Sequence, residues 1–168
     1  MVDIDEKDEA ILKELRRNGR ATLTELGRKI GLSPASVKNR IEKLEDLGAI
    51  RGYSAIVDPI FLNEFVQAMI EVELLTDDET VDEKLCSISG LDNVVGVYRK
   101  TGEFQILIRA NFRDVSQLRE FLRNLSTKYL GKNMKRSKVS VIIDVFKEGG
   151  VVTHRKRRSK RRRHTKFR

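Results

Sequence analysis

Between Ser33 and Lys43 the chain concentrates side chains able to read a surface rich in hydrogen-bonding groups: Ser36, Asn39, Arg40 and Lys43, with Ala35 and Lys38 between them. A guanidinium matches the two major-groove acceptors of guanine and a carboxamide matches adenine, while a hydroxyl reaches either a base edge or a phosphate. Val37, Ile41, Leu44 and Leu47 recur at i, i+4, i+7 and i+10 and predict a helix that buries that stripe and presents the polar set on its opposite face. The same pattern also fits a helix that merely solvates itself, with Lys38, Arg40 and Lys43 paired to Glu42, Glu45 and Asp46. Which reading holds depends on the elements around it.

Other chemistries find little support. The single cysteine, Cys86, allows neither an internal disulfide nor a cysteine zinc cluster, and it falls in the apolar phase of a helical pattern as a small core filler. Both histidines, His154 and His164, lie in the C-terminal basic stretch with no carboxylate beside them to fix a tautomer. No Ser-His-Asp, Cys-His, metal-binding or glycine-rich phosphate motif is present, so neither an enzyme nor a bound cofactor is expected. The N-terminus is acidic and polar and no run of 18 apolar residues occurs, which predicts a cytoplasmic protein without a membrane partner.

The charge is uneven. The chain has 34 Lys plus Arg against 25 Asp plus Glu. Ten of the cations fall between Arg155 and Arg168, so residues 1–150 sum to about −1. Arg155, Lys156, Arg157, Arg158, Lys160, Arg161, Arg162 and Arg163 form a run expected to be disordered and to touch DNA phosphates without sequence preference.

The elements that would position Ser36 to Lys43 are legible. A first helix from Asp5 to Arg17 ends at Asn18-Gly19. A second starts at Thr22, with Glu25 as capping-box partner, and ends at Gly31. Ser33 caps the third helix, Pro34 takes its first position and Gly48 ends it. Two short helices joined by a Gly-containing turn make a helix-turn-helix. Ile50–Asp58 reads as an extended wing before Pro59. Thr22, Thr24, Ser33 and Arg51 join the third-helix residues as DNA-contact candidates.

From Phe65 the period changes to two. Ala68, Ile70, Val72 and Leu74 alternate with Gln67, Glu71 and Glu73, a helix carries Val81, Leu85 and Ile88, and Val94–Tyr98 pairs through Thr101-Gly102-Glu103 with Phe104, Ile106, Ile108, Ala110 and Phe112. A second helix with Val115, Leu118, Phe121, Leu122 and Leu125 precedes a last strand through Val139, Val141, Ile143 and Val145. The order β-α-β-β-α-β predicts a ferredoxin-like four-stranded antiparallel sheet with both helices on one face. The other face needs cover, and a second copy of the sheet supplies it, giving a homodimer. The expected organisation is therefore α+β: a winged helix-turn-helix over 1–52, a linker over 53–64, the βαββαβ unit over 65–150 and the basic tail over 151–168.

"DEKDEAILKELRRNGRATLTELGRKIGLSPASVKNRIEKLEDLGAIRGYSAIVDP" and "VVGVYRKTGEFQILIRA", in this element order, resemble the Lrp/AsnC (leucine-responsive, feast/famine) transcriptional regulators. The resemblance implies a DNA-binding N-terminal domain and a ligand-sensing, oligomerising (RAM-type) C-terminal domain. It also implies dimers that assemble further, commonly to octamers, and an amino-acid effector held between dimers at the glycine-containing hairpin turn. That turn would involve Arg99, Thr101, Gly102, Glu103, Phe104 and Gln105. The family's turn has acids flanking an aromatic after the glycine, and Gln105 stands here in place of the second acid. As a plain hairpin, the turn would need Gly102 only for positive φ, with Arg99, Glu103 and Gln105 as solvated flanks.

The leading expectation is a sequence-specific, double-stranded-DNA-binding regulator in which Arg40→Ala costs about 1–3 kcal/mol of specific binding. The alternative is an architectural, chromatin-like protein that coats DNA with little preference. A haem-pathway decarboxylase of similar two-domain fold would need histidines within the fold, and none precedes His154.

Overall fold

A computed structural model describes residues 4–153; the eight tail cations from Arg155 to Arg163 lie outside the described residues. The described chain divides into two compact units: residues up to Ile56 group with those from Val145 onward, and Val57–Asp144 form the other.

The first unit is built on α1 (Glu6–Arg17), α2 (Leu23–Ile30) and α3 (Pro34–Asp46). Each helix starts where a side chain accepts an otherwise unpaired backbone N–H: Asp5 from Asp8, Thr22 from Glu25 and Ser33 from Ser36. The first two are full capping boxes, in which Asp8 and Glu25 reach back to the cap's own N–H. Gly31 closes α2 in the left-handed region, as the C-cap of a helix requires. Ile11, Leu26, Val37 and Leu44 form the fully buried centre of the unit. Leu47, expected in the same stripe, is 49% exposed at the C-cap of α3.

No strand forms between Arg51 and Asp58, so the expected wing is absent there. Tyr53 instead donates its hydroxyl to Glu45 of α3 at 2.8 Å. The first unit's sheet is the small hairpin of β5 (Lys147–Glu148) and β6 (Val151–Val152), which spans the expected boundary at 150 between the βαββαβ unit and the tail.

The second unit follows a 3₁₀ turn at Pro59–Leu62 and comprises β1 (Val66–Leu74), α4 (Glu79–Ser89), β2 (Val94–Arg99), β3 (Ile106–Phe112), α5 (Val115–Asn124) and β4 (Met134–Val141). All pairings in its sheet are antiparallel and the order is β2-β3-β1-β4, the ferredoxin-like arrangement expected. The register sets Ala68 opposite Ala110, Ile70 opposite Ile108 and Val72 opposite Ile106, so the apolar phases of the two central strands coincide on one face. Val81, Ile88, Leu118, Phe121 and Leu125 pack against that face from α4, α5 and the π turn after α5. The rings of Phe112 and Phe121 meet edge to face, 5.3 Å between centroids.

Other apolar assignments fail as well. The last strand ends at Val141, and the side chain of Ile143, read as its continuation, is 91% exposed. β4 is an edge strand held only by β1, and the ladder ends as Ile142 donates to the Gln67 carbonyl at 2.8 Å, one residue from the start of β1 at Val66. Cys86 is exposed, since α4 buries Val81 and Ile88 and Cys86 lies off the line joining them.

Candidate nucleic-acid interface and effector turn

The third helix presents its polar face as expected, but its charges are not equally available. Ala35, Ser36, Lys38 and Asn39 are exposed, and with Ser33 they form a continuous surface on the first two turns of α3. Ser33 and Ser36 share a hydroxyl–hydroxyl bond of 2.9 Å, and Lys38 lies 3.5 Å from Glu42 on the same helix, a loose pair that a phosphate can outcompete.

Arg40 is different. Its Nη1 donates to Asp5 and to Asp8, each at 2.7 Å, and its side chain is only 29% exposed. Asp8 is fully buried between α1 and α3, and Lys43 adds a second cation 3.7 Å from its other oxygen. For Arg40 the carboxylates come from α1 and its N-cap, 32 and 35 residues away, and not from the neighbouring acids of its own helix. The hydrogen bond with Asp8, followed by that with Asp5, holds the guanidinium still further toward its charged form, and Asp5 in turn is pushed below the usual carboxylate range, chiefly by the Asp8 N–H and then by Arg40. Arg40, expected as a candidate to meet a base, is thus engaged by two carboxylates. In this arrangement it ties the recognition helix to α1 and neutralises a buried carboxylate.

The sequence contained a signal for this. Asp8, Ile11, Leu12 and Leu15 lie at i, i+3, i+4 and i+7, so an acid sits in the apolar phase of α1, where only a paired acid is stable.

Of the remaining candidates Thr22 and Thr24 lie at the start of α2, and Arg51 follows the end of α3. Thr22 is occupied as the cap of α2, donating its hydroxyl to Glu25 at 3.0 Å, while Thr24 and Arg51 are exposed. The backbone at the start of α2 still carries the positive end of the helix dipole, which favours a phosphate.

In the second unit the hairpin turn between β2 and β3 is more than a solvated connection. Gly102 has φ +106, the conformation for which glycine is needed. Arg99 reaches both Asp77 and Asp82 at 2.9 Å, Glu103 pairs with Arg136 of β4, and the Arg136 guanidinium lies 5.0 Å from the centroid of the Phe104 ring. Arg136 also bonds Glu73, whose carboxyl is held below its ordinary value first by Lys135 and then by Arg136. Gln105 directs its side-chain carbonyl to the Leu74 N–H at 2.9 Å and so closes the end of β1. Thr101 is exposed at the tip. Glu103 and Phe104 thus meet Arg136, and Gln105 bonds the backbone next to Glu73, while Arg99 is turned to Asp77 and Asp82; Arg136 and Glu73 were missed because they lie on other strands, far away in the chain.

Among the described residues no group of histidine, cysteine and carboxylate side chains could hold a metal ion, and no helix is long and apolar enough to cross a membrane.

A helix-turn-helix with an exposed α3 face, joined to a ferredoxin-like αβ unit with a polar turn, defines a two-domain DNA-binding regulator. The AsnC-type helix-turn-helix domain model matches residues 4–45, and the Lrp/AsnC ligand binding domain model matches residues 67–152. An uncharacterized HTH-type transcriptional regulator of Pyrococcus furiosus is 57% identical over 152 residues, covering 90% of this chain and 98% of the relative. The leucine-responsive regulatory protein of Escherichia coli is 30% identical over 138 residues, 82% and 84% of the two chains. A solved transcriptional regulator of Neisseria meningitidis in complex with L-Met superposes with a TM-score of 0.72 at 28% identity, over 86% of this chain and 93% of the other. The chain belongs to the Lrp/AsnC family of transcriptional regulators. It joins a DNA-binding helix-turn-helix to a domain of the family's ligand-binding type.

Proposed function

We propose that the protein reads specific DNA sites through the first two turns of α3, with Ser36 and Asn39 facing base edges, Lys38 and the α2 start facing phosphates, and Arg40 and Lys43 fixing the helix against α1. The observation that carries this reading is the spending of Arg40 on Asp5 and Asp8, which leaves Asn39 as the side chain on this face best suited to a bidentate base contact. The open face of the second unit's sheet pairs with a second copy, and the dimer presents two α3 helices about 34–36 Å apart to a near-palindromic site. Further assembly to octamers follows the family. The turn formed by Arg99, Thr101, Gly102, Glu103, Phe104 and Gln105 takes a free amino acid, in keeping with the L-Met complex of the Neisseria regulator. The basic tail adds phosphate contacts without sequence choice.

Selecting sites from random DNA, followed by binding of the winners to Asn39→Ala, tests this. The expected result is one enriched near-palindrome and a loss of about 1–3 kcal/mol on it, with little change on scrambled DNA. Failure to enrich any site would favour the low-preference architectural reading, to which the ten tail cations lend support.

A further inference from the structure

The chain that leaves α3 is held on both sides of Arg51. Gly48, at φ +67, closes the helix: its N–H bonds the Glu45 carbonyl at 2.8 Å and the Ala49 N–H bonds the Leu44 carbonyl at 2.9 Å, the paired bonds of a Schellman motif. Ile50 brings its own N–H to the Leu44 carbonyl at 3.1 Å and packs its side chain against the buried cluster of Ile11, Leu26, Val37 and Leu44. On the other side, the Tyr53 hydroxyl donates to the Glu45 carboxylate at 2.8 Å, so the chain doubles back onto the last turn of α3. Gly52 lies between the two fixed points at φ +152, which side-chain-bearing residues rarely adopt.

Arg51 is exposed and makes no hydrogen bond or ion pair with the described residues. The cations of α3 itself are committed, Lys38 beside Glu42 and Arg40 and Lys43 beside Asp8. The position of Arg51 past the end of the helix suits one partner. At about 1.5 Å per residue, roughly 10 Å of helix separates Asn39 from Asp46, close to the roughly 12 Å width of a major groove. A recognition helix lays its N-terminal residues on base edges. With the first two turns of α3 there, the residues just beyond its far end stand at the rim of the groove, where the phosphates are. A guanidinium at the rim meets a phosphate oxygen through a charge-assisted hydrogen bond.

We propose that Tyr53 and Glu45 form a clamp that holds Arg51 to a DNA phosphate at the rim of the groove read by α3, supplying the backbone contact that a wing would otherwise make. Tyr53 is a positioning residue that acts through Arg51. The proposal rests on the reading of α3 as the helix that enters the groove. Without the clamp Arg51 still carries its charge, but its segment has to be ordered at the moment of binding. Ordering one such side chain costs about two- to ten-fold in affinity.

The test uses five full-length proteins: the unaltered chain, Arg51→Ala, Tyr53→Phe, the double variant and Asn39→Ala. Kd is measured by fluorescence anisotropy on the duplex selected from random DNA and on a scrambled one, at about 50 and about 200 mM salt. Arg51→Ala should weaken binding to both duplexes alike. Its deficit should shrink about three-fold for each DNA-binding unit engaged as the salt rises, because one phosphate contact has been lost. Tyr53→Phe should weaken binding about two- to ten-fold on both duplexes when Arg51 is present and have no further effect when Arg51 is gone. A purely structural Tyr53 would give the same loss in both backgrounds, and that result, or no loss at all in Tyr53→Phe, overturns the clamp. A deficit in Arg51→Ala that is the same at both salt concentrations overturns the phosphate contact and the clamp with it. If Asn39→Ala and Arg51→Ala both bind as tightly as the unaltered chain, the reading of α3 fails first and the clamp falls with it. A loss in Asn39→Ala alone leaves that reading intact and refutes only the clamp.

Discussion

The pairing of α3 with α1 leads to an asymmetric outcome for two substitutions that remove the same bond. Arg40→Ala leaves the fully buried Asp8 carboxylate with the Asp5 N–H at 3.3 Å and Lys43 at 3.7 Å as its remaining partners. Orphaning a buried carboxylate typically costs about 3–5 kcal/mol, and Lys43 together with solvent entering where the guanidinium stood offsets part, leaving about 2 kcal/mol at the Asp8 site. Asp8→Ala instead leaves Arg40 with Asp5 and with access to water, so its cost is that of the lost half of the capping box, about 1 kcal/mol. The double variant should be more stable than Arg40→Ala alone, because the stranded carboxylate is gone. Urea denaturation of the four proteins, followed by circular dichroism, gives the cycle. Binding on the selected site and on scrambled DNA at several salt concentrations completes it. If Arg40 positions the helix, the salt slope stays the same in Arg40→Ala and operator affinity recovers in part in the double variant. A slope lowered by about one, with additive stabilities and no recovery, would mean that Arg40 contacts a phosphate directly and would refute the reasoning.

Three further outcomes follow from the same geometry. Thr22→Ala removes the α2 cap and should destabilise the DNA-binding unit by about 1 kcal/mol in the same denaturation assay. Gln105→Ala should loosen the end of β1 by removing the acceptor of the Leu74 N–H, seen as faster hydrogen exchange at Leu74, whereas Gln105→Glu keeps that acceptor and should alter amino-acid binding in calorimetry instead. Asp5, Glu14, Glu25, Glu73, Asp78 and Asp114 are all held below their ordinary values by hydrogen bonds and cations. Depressed carboxylates stabilise the fold fully above the unfolded value near 4 and lose that contribution as pH falls through and below it, so the denaturation midpoint should be flat from pH 7 to about 5 and decline below.

Local signals explain what could be read directly. Thr22 with Glu25, Ser33 before Pro34 and Gly31 after Ile30 mark helix ends through bonds spanning three or four residues, so the helix-turn-helix was legible. The alternation from Ala68 to Leu74 and from Ile106 to Phe112 is likewise a property of single strands, and the register that superimposes them follows from burying both apolar sets on one face. The hairpin at Glu148-Gly149-Gly150-Val151 also carried its signal, two glycines between β-compatible pairs, but it is too short for periodicity to register.

By itself the sequence determined the element order, the helix starts, the ferredoxin-like alternation and the polar face from Ser33 to Asn39 at the start of the third helix, because each depends on residues close along the chain. Only the tertiary structure decided that Arg40 belongs to Asp5 and Asp8, that Arg136 and Glu73 complete the turn after Arg99, and that the segment from Val145 packs with the first unit. Those outcomes join groups about 30 to 130 residues apart. Which of several carboxylates a guanidinium meets, and where an edge strand stops, depends on which backbones the packed core brings within hydrogen-bond distance.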